Sequence, residues 1–417
     1  MVTILHAETI LTMDPQRPVL KNAAVIFDSQ ILEVTDDREV IERYAQSSAS
    51  EVIEAAPHSV VMPGLINSHV HLEFSAQATQ LDYGSFMGWL YSVMEQREAL
   101  ISACDEACYK RTLAQMAQSG VTTIGAVSSY GFDLQACANG PLKTVYFNEL
   151  IGSNPAAADM IFADFVDRLE SSFEYASDRF KPAVAIHSPY SVHPVLVRKA
   201  VHLAKSRGLP VSAHFMESKA ERRWLDGGTG EFKPFFEKFL KTATPVGSAA
   251  DFLACFEGVK PLFVHGVHAT DEELTRMAQM GGSLIHCPVS NRLLGCGLLD
   301  LEKVKNREIP YTLATDGLSS NYSLSLFGEL RSALLMHAEL DLALLSRDLL
   351  RSVTEVAAKA LGLHTGKITP GRAADLISFN LPGKVSDDRL LYTQVILHAG
   401  QMERVFIDGE PILITES

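Results

Sequence analysis

VMPGLINSHVHLEF, residues 61–74, is an apolar run that ends in two histidines one residue apart. Side chains alternate faces along a strand, so His69 and His71 point to the same side. One metal ion can take such a pair as two nitrogen ligands at about 2.0–2.1 Å. Alone the pair decides little, because any half-buried strand can carry two histidines on one face. Its meaning depends on what closes the other strands.

Outward from this stretch, apolar strand-like runs alternate with helix-like ones such as ACDEACYKRTLAQMAQSG, PVLVRKAVHLAKSRG and TDEELTRMAQMGG. Such alternation means parallel β/α units. The strand candidates are VVMPGLINSHVH, VTTIGAVSS, KTVYFNELIG, KPAVAIHSPY, LPVSAHFMES, KPLFVHGVH, GGSLIHCPVS and IPYTLATDG, about eight, the number that closes a (β/α)8 TIM barrel. The seventh is the weakest, because its Cys-Pro would disrupt a central ladder. In a barrel of this kind the chemistry collects where strands end at the C-terminal face. Here the first strand ends in His69 and His71, the fourth in His187, the fifth in His214, the sixth in His265, the seventh in His286 and the eighth in Asp316. The groups closing the first, fifth, sixth and eighth strands would converge on one axial pocket. Three histidines and a carboxylate suit one divalent ion, Zn2+ or Fe2+, with a position left open for water, which is the mark of a catalytic site.

The first sixty and last fifty residues read differently, as short β-like runs between turn residues, and neither end has enough strand to bury two faces alone. We therefore expect residues 1–60 and 366–417 to form one composite β-sandwich domain beside a barrel of residues 61–365. With 417 residues, 47% of them hydrophobic, the chain can bury a large core. Its formal charge of −14 repels phosphate backbones and anionic membranes, so neither a nucleic acid polymer nor a membrane is an expected partner. No apolar run approaches the roughly 18 residues of a membrane span. The six cysteines are scattered without a paired framework, and the N-terminus lacks the pattern of a secretory signal, which together imply a cytoplasmic protein.

The segments PGLINSHVHLEF, HSPYS, HFMES, VHGVHATDEEL, HCPVSN and ATDGLSSNYSLSLFGELR, in this order, resemble the amidohydrolase superfamily in its mononuclear deaminase and chlorohydrolase branch, and GKITPGRAADLISFN resembles that family's closing β segment. The resemblance implies a distorted (β/α)8 barrel with a small β-sandwich built from both termini. It implies that His69, His71, His214 and Asp316 hold the metal and that His265 hydrogen-bonds the water the metal activates. Glu217 matches the family's acid three residues after the third histidine. His187 stands where two-metal members carry a carboxylated lysine, which favours a single metal. A metal lowers the pKa of bound water from 15.7 to about 7. His265 and Asp316 would then orient that water and take its proton, and Glu217 would shuttle protons to the ring nitrogen and the departing amine.

Purine, pyrimidine, adenosine-type and triazine hydrolases share this constellation, so substrate choice must be written elsewhere. SFMGWLYSVMEQREAL, residues 85–100, resembles the family helix whose aromatic and acid border the sugar of adenosine-type substrates, a role that carries over to Trp89 and Glu98. His187 and Glu217 would also touch the nucleoside, with Ser188 to Tyr190 shaping the loop; His193, His268 and His286 are expected to support or pack. In overall texture the chain is most similar to the bacterial aminofutalosine deaminases, which convert 6-amino-6-deoxyfutalosine to futalosine on a route to menaquinone. That substrate ends in a benzoate, which calls for a cation, with Arg97, Arg222, Arg223 and Arg292 as candidates. The alternatives are a deaminase of S-adenosylhomocysteine, 5′-methylthioadenosine or adenosine, then a guanine or cytosine deaminase, and most remotely a non-catalytic barrel scaffold. Scaffolds of this kind typically lose ligands, whereas every ligand is present here. The resemblance also implies a homo-oligomer.

Overall fold

The computed structural model describes residues 1–46, 50–76 and 81–412. Eight parallel strands follow one another in chain order around a nearly closed barrel: Leu65–Val70, Val121–Ser128, Lys143–Leu150, Phe180–Ile186, Val211–Phe215, Leu262–His265, Ser283–His286 and Tyr311–Leu313. The seam between the first and the eighth is bridged largely by side chains. Asn67 Nδ2 donates to Thr315 Oγ1 at 2.7 Å, the hydroxyls of Ser68 and Thr312 lie 2.6 Å apart, and the Asp316 amide donates to the His69 carbonyl at 3.2 Å.

Small and branched residues, with one aromatic, Phe147, fill the barrel interior, among them Ile66, Val127, Val145, Ala183, Ala185, Leu262, Val264, Ile285 and Ala314. The period of two then sets which side chains cap this core. Val145 and Phe147 lead to Glu149, Ala183 and Ala185 lead to His187, and Ala314 leads to Asp316. Ile285 on the seventh strand and Cys287 just beyond it face the barrel interior, so His286 turns outward and meets His337, with Nε2 atoms 3.3 Å apart. The seventh strand stops at His286, and Pro288 opens a short helix, Pro288–Leu293, at the N1 position that tolerates proline.

The helices between strands carry their own start and stop signals. Asp105 caps Glu106–Gln118 by accepting from the Cys108 amide. Thr270 and Glu273 form a capping box on Asp271–Gln279, and Gly208 ends Pro194–Arg207 in the left-handed conformation.

Both termini contribute to a second sheet. Val2–Leu11 pairs antiparallel with Val19–Phe27 and parallel with Ser59–Pro63, and Ser59–Pro63 pairs antiparallel with the C-terminal strand Leu376–Asn380. The run VVMPGLINSHVH, which reads as one strand in the sequence, is therefore two. Gly64 separates them because a Cβ there would lie 2.2 Å from the Thr122 side chain, so only glycine lets the chain cross between the sheets.

The cysteines also depart from expectation. Cys104 and Cys108, with Cα atoms 5.3 Å apart across the start of a helix, are joined as a disulfide, while Cys137, Cys255, Cys287 and Cys296 are free. Among the described residues no helix is long and apolar enough to cross a membrane.

Candidate active site

Three imidazoles and one carboxylate meet above the barrel core. His214 Nε2 lies 3.3 Å from His69 Nε2 and 3.5 Å from His71 Nε2, and Asp316 Oδ1 lies 3.6 Å and 3.8 Å from the Nε2 atoms of His69 and His71. His214 Nδ1 is 2.7 Å from the His187 carbonyl, so its proton sits there and Nε2 presents a lone pair. Asp316 is oriented from behind: Ser290 and Ser320 hydroxyls donate to Oδ2 at 2.8 Å and 2.9 Å, and the Gly317 amide donates to Oδ1 at 2.8 Å. Burial lowers the His69 pKa to about 4, so the ring is neutral near pH 7. Burial pushes the Asp316 carboxyl up, but hydrogen bonding to His69 and the neighbouring imidazoles hold it well below the usual carboxylate range. Neutral nitrogens and an ionised oxygen converging without enough protons to link them are what a divalent cation requires, and the donor set fits one. The ring nitrogens of His69, His71 and His214 all fall within 4.8 Å of one another.

His265 joins this group by a break in the strand pattern. Leu262 and Val264 face inward, so His265 should face out, yet its backbone is left-handed (φ 72°) and the ring turns back to the site. Its Nδ1 is 2.9 Å from Asn291 Oδ1, and Nε2 is 3.7 Å from Glu217 Oε2. Burial lowers its pKa to about 3. Glu217 itself is buried, with the Cys296 thiol 3.9 Å from Oε1. Burial, with Asp316 and Glu221 adding repulsion, raises its carboxyl well above the ordinary range. The loop that presents it depends on Glu221, which accepts from the amides of Met216 at 3.0 Å and Glu217 at 2.8 Å around a left-handed Met216 (φ 52°). Glu221 was not read as functional in the sequence, although its place three residues after Ser218, the helix N-cap, was a usable signal.

A cavity of about 300 Å³ opens from this cluster. Trp89 lines it and donates from Nε1 to the Ser319 carbonyl at 2.8 Å, linking its helix, Phe86–Ser102, to the loop after Asp316. Val93 and Arg97 line the cavity on the same face of that helix. Glu98 does not, and the expectation for it is corrected. It is exposed, and nine positions beyond Trp89 at about 100° each leave it half a turn out of phase. Of the four candidate arginines only Arg97 lines the cavity; Arg222 is held by Asp226 and Glu273, and Arg223 and Arg292 are exposed elsewhere. Arg97 Nε donates to the Tyr130 hydroxyl at 2.5 Å, and its guanidinium lies 5.2 Å from that ring's centre. Phe235, Phe236 and Phe239 add an aromatic wall that the sequence reading did not single out.

His187 lines the cavity with Nδ1 2.6 Å from the Ser191 hydroxyl, and burial lowers its pKa to about 4. His193 instead caps a helix by accepting from the Val195 amide, and His268 Nε2 is 2.6 Å from the Cys296 carbonyl. Glu149, buried at the close of the third strand, also lines the cavity and was missed, although it stands two residues beyond inward-facing Phe147.

This geometry has close counterparts among known proteins. The chain is 46% identical over 407 residues to the aminodeoxyfutalosine deaminase of a Nitratiruptor species, covering 98% of each. It is 34% identical over 418 residues to the adenosine deaminase of Helicobacter pylori, covering 99% of this chain and 100% of that one. The crystal structure of Helicobacter pylori aminofutalosine deaminase in complex with methylthio-coformycin aligns with a TM-score of 0.92 at 34% identity, over 99% of this chain and 100% of that chain. The amidohydrolase family matches residues 60–412. On these grounds the chain is a hydrolase that belongs to the amidohydrolase family.

Proposed function

We propose that this chain hydrolytically deaminates 6-amino-6-deoxyfutalosine to futalosine and ammonia, as a cytoplasmic homo-oligomer serving menaquinone biosynthesis. The observation that carries the chemistry is the meeting of His69, His71, His214 and Asp316 beside the buried pair His265 and Glu217. When bound, one zinc or iron(II) ion supplies hydroxide at neutral pH by lowering the pKa of water to about 7.

The chain's own residues do the rest. His265 Nε2 and Asp316 Oδ1 orient the attacking water and accept its proton. Burial raises the Glu217 carboxyl well above its ordinary range, which favours the protonated form and gives it a proton to deliver. It hands that proton to the ring nitrogen next to the attacked carbon; the proton that His265 and Asp316 took from the water then passes to the exocyclic amine by way of Glu217 as ammonia leaves, and the proton of the new hydroxyl returns to Glu217 as the carbonyl forms. Trp89 and the phenylalanine wall flank the purine and its apolar extension. His187 offers a ring nitrogen to the nucleoside.

Substrate choice rests on Arg97, which lines an otherwise largely apolar cavity and makes no ion pair among the described residues. A terminal benzoate would supply the missing anion. The identity to the Nitratiruptor deaminase supports the same substrate. The test is ammonia release by metal-loaded enzyme from aminofutalosine, adenosine, S-adenosylhomocysteine, 5′-methylthioadenosine, guanine and cytosine. Aminofutalosine should give the highest kcat/KM. A higher value for another compound overturns the substrate and leaves the deaminase chemistry standing.

A further inference from the structure

The chemistry above leaves one buried carboxylate in the cavity unused. Glu149 is 1% exposed; its Oε2 accepts from the Ser129 hydroxyl at 2.6 Å, and its Oε1 has no hydrogen-bond partner among the described residues. An unmet oxygen on a buried acid is costly, and native proteins rarely carry one without a reason. The nearest ring nitrogen, His214 Nδ1 at 3.9 Å, already gives its proton to the His187 carbonyl.

A cation does not explain the group. Glu149, His187 and His214 have metal-like spacing, with one donor atom each within 4.8 Å of the others. His214, however, aims its one lone pair at His69 and His71, which leaves two donors, too few for a second ion.

The occupant must instead bring protons. Ser129 also lines the cavity, and having directed its hydroxyl proton to Glu149 it has only lone pairs to offer. Its backbone is pinned, since its amide donates to Glu73 Oε2 at 2.7 Å. Glu149 Oε1 and Ser129 Oγ are thus two neighbouring acceptors on a fixed frame, which match two neighbouring hydroxyl donors. They also lie between the two ends of the proposed substrate: Glu149 is beside the metal-ligand candidate His214, and Ser129 precedes Tyr130, which holds Arg97.

We propose that Glu149 and Ser129 together bind the vicinal diol of a ribosyl group and make the enzyme selective for ribosides over deoxyribosides. This rests on the nucleoside-deaminase reading. It is tested with metal-loaded wild type, Glu149→Gln and Ser129→Ala on adenosine, 2′-deoxyadenosine and 3′-deoxyadenosine. Both kcat/KM for ammonia release and Kd by calorimetry are measured.

In wild type, at least one deoxynucleoside should be disfavoured by about ten- to a hundredfold, the scale of a hydrogen bond to a charged acceptor. Each variant should shrink that preference by about fivefold or more, a change in ratio that a merely structural defect does not produce. Equal handling of all three nucleosides by wild type overturns the proposal, and so does a preference that survives in both variants. If wild type releases no ammonia from any of them, the calorimetric ratios decide the diol site, and the deaminase reading is decided separately by ammonia release from aminofutalosine. Ser129→Ala removes only one hydroxyl and keeps the test open should Glu149→Gln fold poorly.

Discussion

Replacing Glu217 by glutamine separates proton transfer from metal binding. The nearest polar neighbours of the carboxyl are His265 Nε2 at 3.7 Å, whose ring already places its proton on Nδ1 toward Asn291, and the Cys296 thiol at 3.9 Å, so a carboxamide of the same shape strands no partner. It is not one of the four groups that face the metal position, and Glu221 grips the backbone of this loop rather than its side chain. Glu217→Gln should therefore fold, to within about 1 kcal/mol of wild type, and load the same amount of metal. What it loses is the ability to carry a proton between water, ring nitrogen and amine. General acid–base transfer contributes about 10²–10⁴ in rate, equivalent to about 3–5 kcal/mol of barrier. The measurement is steady-state ammonia release with metal content determined on the same sample. More than about a tenth of wild-type kcat at full metal loading would remove Glu217 from the mechanism, whereas a loss of metal would reassign it as a ligand.

His214→Ala should abolish stoichiometric metal, because it takes away one of three nitrogens that meet within 4.8 Å; unchanged metal by elemental analysis would refute the ligand set. Glu329 makes a prediction about pH and stability. Burial raises its pKa from 4.5 to about 8, while it holds the Asn321 side chain at 2.6 Å and the Val289 amide at 3.2 Å. The folded chain keeps a proton that the unfolded chain releases, so this contribution is complete below pH about 4.5 and is lost as pH rises through about 8. Between pH 5.5 and 8 the loss should be about 3 kcal/mol, and Glu329→Gln should remove that slope. Denaturant unfolding at the two pH values checks it, and an identical slope in the variant refutes it.

Much of this site was legible because barrels put chemistry at strand ends and strands alternate faces. His69, His71, His187, His214 and Asp316 all stand where an apolar run closes. The rest depended on three-dimensional phase. His265 also stands at the close of an apolar run, but the left-handed backbone that turns its ring into the site is not announced by composition. Glu98 was read with Trp89 on resemblance, and counting helical turns would have moved attention one residue back to Arg97. Glu149 closes its strand as plainly as His187 does, but a lone carboxylate in NELIG carries no motif. The division at Gly64 was hidden because no polar turn marks it and both segments are buried throughout, one in each sheet. The Cys104 and Cys108 pairing is local, and a spacing of four residues does not distinguish a bridge from two helical thiols.

The barrel seam has a consequence for when the enzyme becomes active. Asn67 and Thr315, which clasp it, are 248 residues apart, and the proposed ligand groups His69 and Asp316 lie close beside them. A growing chain can expose His69 and His71 early, yet it lacks both the fourth donor and the seam contacts until synthesis passes the eighth strand. The strand Ser59–Pro63, directly before the first ligands, also waits for Leu376–Asn380 to complete its sheet. On the proposed mechanism, a partial chain would therefore be unable to generate hydroxide, and completeness of the polypeptide would act as the switch for the chemistry.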